Sequence, residues 1–84
     1  MAYFVLLKKS VEKELDRLPA GTHDQIEERL RVLADNPRPH GSKKLHGQQA
    51  YRIRVGDYRV LYTIDDEART VTVYSVGHRR EVYR

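Results

Sequence analysis

The chain has 84 residues, 33% charged and 39% hydrophobic, with no cysteine. A chain of this length makes one domain with one modest core, and it has neither disulfides nor a thiolate metal site to support that core. The formal net charge of +4 sits in the second half, because residues 1–36 carry six Lys/Arg against seven Asp/Glu while residues 37–84 carry ten against five. Basic charge gathered on part of a small domain points to a polyanionic partner, nucleic acid first.

The opening "MAYFVLLKKS" places its lysines after the apolar run, unlike a signal peptide. No segment approaches the roughly 20 apolar residues that cross a bilayer. Cytoplasmic residence without a membrane partner is the expectation. "AYFVLL" (residues 2–7) is short and apolar, and reads as a buried strand. "KKSVEKELDRL" places Val11, Leu15 and Leu18 on one helical face, and Pro19 with Gly21 is expected to end that helix. "THDQIEERLRVLADN" reads as a second helix with an Ile26, Leu30, Leu33 stripe. Thr22 and Gln25 have capping-box spacing at its start, and Asn36-Pro37 closes it. This helical pair is read as a packing element.

"PRPHGSKKLHGQQ" reads as an exposed basic linker. "YRIRVGDYRVLY" then alternates as two strands around Gly56-Asp57, a two-residue turn. Such a turn pairs 55 with 58, 54 with 59, 53 with 60 and 52 with 61. Tyr51, Ile53, Val55, Tyr58, Val60 and Tyr62 share one face. Arg52, Arg54 and Arg59 crowd together on the other, with Arg54 directly opposite Arg59. Like charges so placed destabilise a sheet, and an anionic ligand converts that repulsion into a binding site. After a "DDEA" turn, "RTVTVYSVGH" reads as the last strand, with Val71 and Val73 continuing the apolar face and Thr72, Tyr74 and His78 on the opposite one. Gly77 lets His78, Arg79 and Arg80 turn across the sheet. The fold class is therefore α+β, ordered β-α-α-β-β-β, with an antiparallel sheet and a helical hairpin on one face.

Arg52, Arg54, Arg59 and Arg79, with His78 and Tyr83 nearby, form the candidate site. It has no acidic cluster and no paired-histidine motif, and no cofactor or metal is expected. Guanidinium groups without a metal suit RNA cleavage through the substrate's own 2′-OH. The protein must align the strand, stabilise charge on the phosphate oxygens and move two protons. Tyr83 and His78 are the titratable groups near this face suited to proton transfer.

"MAYF", the helical hairpin, "KKLHG", "YRIRVGDYRVLY" and "YSVGHRREVY" together resemble the RelE family, within the RelE/ParE superfamily of toxin–antitoxin modules. The resemblance spans nearly the whole chain and implies a single RelE-like domain over residues 1–84. It implies a ribosome-dependent endoribonuclease, an mRNA interferase cutting the codon in the ribosomal A site, with a cognate antitoxin as partner. Arg52 and Arg54 stand where the family has two catalytic lysines. Arg59 matches the arginine of the "YR" pair, Arg79 the arginine after the glycine of "SVG", and Tyr83 the tyrosine of "EVY". Lys43, Lys44, His78 and Arg80 are expected to bind RNA. The two strand arginines keep phosphate binding but not a lysine's compact point charge, and the spacer between Arg79 and Tyr83 is short. Two other readings remain open: a ParE-like inhibitor of DNA gyrase, and a basic module that chiefly holds its antitoxin.

Overall fold

The computed structural model describes residues 2–45 and 49–78. β1 (Phe4–Leu7) leads into α1 (Lys9–Asp16) and α2 (Ala20–Asp35). β2 (Lys43–Lys44), β3 (Ala50–Val55), β4 (Tyr58–Asp65) and β5 (Thr70–His78) follow. One five-stranded sheet has the order β1-β5-β4-β3-β2. The chain thus starts at one edge, crosses one face as a helical hairpin, reaches the far edge as β2, and walks back by antiparallel neighbours until β5 meets β1.

The α+β class and the element order agree with the sequence reading, with three differences. First, the sheet is mixed, because β1 pairs parallel to β5, from Phe4↔Thr70 to Leu7↔Val73. β1 is the strand that no hairpin joins to its neighbour, so adjacency alone could not set its direction. Second, Lys43 and Lys44, read as linker, form a short edge strand opposite Arg52 and Tyr51. Third, α2 starts before Thr22. The Pro19 carbonyl accepts the His23 N–H at 2.9 Å, Gly21 lies inside the helix, and no side-chain cap bond forms at its start. Proline's fixed φ suits a helix start, so the two helices are separated by only Arg17, Leu18 and Pro19.

The core lies between the helices and one sheet face. Val11 and Leu15 of α1 and Ile26, Leu30 and Leu33 of α2 meet Ile53, Val55, Val60, Tyr62, Val71, Val73 and Val76. This is the apolar face that alternation assigned to the hairpin. β1 contributes only Val5 and Leu7 to it. Phe4 and Leu6, 72% and 54% exposed, emerge on the open face instead, so β1 is half-covered rather than buried.

Beneath the C-terminal end of α2, side chains fasten the loop before β2. The Tyr62 hydroxyl donates to the Pro37 carbonyl at 2.8 Å, and burial pushes its pKa up to about 12. Arg38 grips Asp66 with two nitrogens at 3.2 and 2.9 Å and donates from Nε to the Tyr51 hydroxyl at 3.2 Å. Tyr3 donates to the same carboxylate at 2.6 Å. Arg38, then Tyr3, hold Asp66 down at about 2. This clamp ties β1, the α2–β2 loop and the β4–β5 turn together.

Candidate functional site: the open face of the sheet

The β3–β4 hairpin has the predicted register, with Arg54↔Arg59, Arg52↔Leu61 and Val55↔Tyr58 as partners. Gly56 takes φ +60 at the first turn position, as a two-residue hairpin turn requires. Because the turn closes on Val55 and Tyr58, Arg54 and Arg59 form the next, non-hydrogen-bonded pair, the type whose Cα atoms approach to about 4.5 Å. β2 extends this surface, since Lys43 stands beside Arg52. Arg59 also neighbours Gly77, and Leu61 neighbours Ser75. Three strands thus bring Lys43, Arg52, Arg54 and Arg59 onto one face, over a floor made low by Ser75 and Gly77.

Within that group Arg52 stands apart. It is 7% exposed, the one buried charged side chain among the described residues. Its Nε is enclosed and has no hydrogen-bond partner among them. A buried donor left unmatched costs about 1–3 kcal/mol, more on a charged group. Folding alone gives no reason to retain a charge here, whereas an anion on this face is attracted by the charge that Arg52 shares with Lys43, Arg54 and Arg59. Lys44 stands opposite Tyr51, a helix-facing residue, and so belongs to the other side of its strand. Lys44 and Lys43 are both exposed.

His78 is not where alternation puts it. The register between β4 and β5 slips at Leu61/Tyr62, so Leu61 pairs with Ser75 but Tyr62 with Val73. The extra residue, Tyr74, reverses the faces beyond it. His78 therefore pairs with Tyr58 on the helix-facing side, where the two rings meet edge-on at 5.8 Å and 79°. It is separated from the arginine face. Arg79, Arg80 and Tyr83 lie outside the described residues.

The sequence reading missed Arg29 of α2. With Gln25 and Glu28 it forms one wall of a cleft of about 370 Å³, whose other wall is Arg54, Val55 and Gly56. Its helical neighbours on the stripe are core residues, which hid it. Among the described residues, His23, Asp24 and Glu27 are the one group whose ligand atoms gather within 4.8 Å. They sit on one turn of α2 in the helical layer, and Glu27 also lies 3.8 Å from Arg31.

A helical hairpin on a five-stranded mixed sheet, with Lys43, Arg52, Arg54 and Arg59 gathered on the uncovered face, is the build of a small type II toxin of the RelE/ParE superfamily. Residues 5–83 match the family model described as the ParE toxin of the type II toxin–antitoxin system parDE. Full-length relatives carry the RelE name. The putative toxin RelE1 of Methanocaldococcus jannaschii is 30% identical over 100% of this chain and 98% of its own. The mRNA interferase toxin RelE of Escherichia coli K12 is 32% identical over 99% and 92%. Among solved structures, the archaeal RelE–RelB complex from Pyrococcus horikoshii matches with a TM-score of 0.86 at 30% identity, covering 96% of this chain and 99% of that one. The intact E. coli RelBE toxin–antitoxin complex matches at 0.81 and 31%, covering 92% and 96%. The chain belongs to the RelE family of this superfamily.

Proposed function

We propose that this toxin is an endoribonuclease, an mRNA interferase that cleaves mRNA on the ribosome by metal-independent attack of the substrate's 2′-OH. The observation that carries the reading is a charged side chain kept on the nearly buried Arg52, in register with Lys43 and beside the Arg54–Arg59 pair. Such a surface suits a phosphodiester in which negative charge builds on the non-bridging oxygens during attack. Arg52, Arg54 and Arg59 stabilise that charge with charge-assisted hydrogen bonds, and Lys43 holds the neighbouring strand. Arg79 in catalysis and Arg80 in RNA binding are assigned from the family resemblance alone, since both lie outside the described residues. Arginine is a poor base, since its pKa exceeds about 12. With His78 facing the helices, proton transfer falls to Tyr83, and strand alignment falls to the ribosome.

A cognate antitoxin is the expected partner, as RelB is in the solved relatives. An acidic, amphipathic segment fits the open face, where Phe4 and Leu6 emerge at one end and the cations at the other.

Primer extension on a translated mRNA after brief induction tests the reading, together with purified toxin on naked mRNA and on programmed ribosomes. Cuts at A-site codons, with little cleavage of naked RNA, are the expected result. Equal cleavage of both substrates removes the ribosome from the proposal. DNA breaks with intact mRNA replace it with the gyrase-directed reading that the ParE name of the family model favours.

A further inference from the structure

The arginine face does not stop at the edge of the sheet. β2 pairs with β3 only at Tyr51 and Arg52. Among the described residues, no strand continues the ladder beside Ile53–Val55. The bare edge opens into the cleft of about 370 Å³ between α2 and the hairpin, lined by Gln25, Glu28, Arg29, Arg54, Val55 and Gly56. That volume falls in the range of ligand sites, roughly 300–1,000 Å³. Arg54 also lines the shallower hollow at the hairpin tip with Gly56, Asp57, Tyr58 and Arg59. One arginine is therefore common to the open face and to the cleft.

The charges of the cleft are one-sided. Glu28, its single acidic residue, has its carboxylate 3.1 Å from Arg31. No carboxylate among the described residues pairs with Arg29 or Arg54. Arg29 is half-buried, which limits the freedom its side chain must lose on binding. Gln25 adds an amide that donates and accepts. Nothing stands within 4 Å of the space beside the Gly56 Cα, so the mouth on the hairpin side is clear. Two guanidiniums from different elements, a neutral amide and an open mouth make an anion site.

Resting on the ribonuclease reading, we propose that Arg29 and Arg54 bind a second RNA phosphodiester, adjacent to the one cleaved on the open face, and that Arg29 is a positioning residue. The ligand chemistry is a phosphodiester, supplied by the mRNA beyond the cut or by ribosomal RNA. The strand passes from the open face over the bare edge of β3 and is held on the α2 side. This fixes the strand's direction across Arg52 and Arg59, which the open face alone leaves free.

The test is single-turnover cleavage on programmed ribosomes as a function of ribosome concentration, for Arg29→Ala, Arg29→Glu and Arg29→Lys. Lys13→Ala, an exposed cation on α1 and outside the cleft, is the control. Arg29→Ala raises the half-saturating concentration roughly 10-fold, the loss of one charge-assisted contact. The maximal rate stays within about 2-fold, and the slope of log affinity against log salt falls by about 0.7. Arg29→Glu is worse, and Arg29→Lys recovers most of the loss. An effect that persists on mRNA ending at the A-site codon assigns the phosphate to ribosomal RNA; one that vanishes there assigns it to mRNA. Unchanged half-saturation in both Arg29→Ala and Arg29→Glu overturns the proposal, as does a loss equal to that of Lys13→Ala. A second readout is independent of cleavage: titration of the Arg29 and Arg54 Nε–H resonances with a short single-stranded RNA. If the wild type cleaves nothing, the ribonuclease reading fails by itself, and the resonances decide the phosphate site separately: shifts at both arginines retain it, and their absence removes it.

Discussion

Replacing Arg52 by Met separates what the fold needs from what the ligand needs. Methionine keeps an unbranched stem of similar length and removes the guanidinium. In the wild type the residue is 7% exposed, with an enclosed Nε that has no partner among the described residues. An unmatched buried donor costs about 1–3 kcal/mol, and replacing buried charge by apolar side chains is often neutral or stabilising by about 1–4 kcal/mol. Removing Arg52 also relieves repulsion from Lys43 beside it. Arg52→Met is therefore expected to raise stability by about 1–2 kcal/mol. In a domain of this size each kcal/mol moves Tm by roughly 4–8 °C, so the gain is readily measured by thermal and urea unfolding followed by circular dichroism. In the same preparation, single-turnover cleavage on programmed ribosomes falls by roughly 10²–10³, the usual cost of one lost transition-state contact. Arg52→Lys keeps the charge without the planar fork and is expected to lie between wild type and Met in rate. A Met variant that is less stable than wild type yet cleaves normally would show that Arg52 serves the fold, and the argument from its unmatched nitrogen would be refuted.

Arg59→Ala is expected to lower cleavage by roughly 10²–10³, and Tyr83→Phe by about 10²–10⁴ if its hydroxyl carries a proton; full activity in both Arg59→Ala and Tyr83→Ala removes the open face as the active site. Asp66 has a folded pKa held down to about 2 against an unfolded value near 3.9, so its contribution to stability is complete above about pH 4 and disappears as pH falls toward 2. Asp66→Asn is expected to flatten the urea midpoint across that window, and an unchanged acid profile would count against the Arg38–Asp66–Tyr3 clamp. Gly56 at φ +60 and Arg69 at φ +54 should respond in opposite ways. Gly56→Ala imposes about 1–2 kcal/mol of backbone strain in a position where a Cβ meets nothing within 4 Å. Arg69→Gly relieves strain of that kind, less whatever the Arg69 contact over the Tyr3 ring contributes at 5.6 Å. Chemical unfolding of both variants reads the two signs.

Local pattern determined the hairpin, the two helical stripes and the arginine face. Each rests on periodicity: a two-residue repeat around Gly56-Asp57 sets every partner from Ala50↔Thr63 to Val55↔Tyr58, and a 3.6-residue repeat selects Val11, Leu15, Ile26, Leu30 and Leu33 for the core. Charge partition between the halves and the order of elements were equally readable, and the "YRIRVGDYRVLY" and "YSVGHRREVY" segments carried the family. What depended on contact between distant segments was not. One extra residue at Tyr74 turns His78 from the arginine side to the helix side, and a bulge leaves no mark on alternation until the neighbouring strand is in place. The parallel partner of β1 is 66 residues away in sequence at Phe4↔Thr70. Lys43 and Lys44 become a strand only because Arg52 and Tyr51 present an edge to them. The burial of Arg52 and the cleft that joins Arg29 to Arg54 belong to the same class. Side-chain period is a property of one segment and survives in the sequence; enclosure and register between strands are properties of pairs, settled only when the helices close over one face and leave the other open.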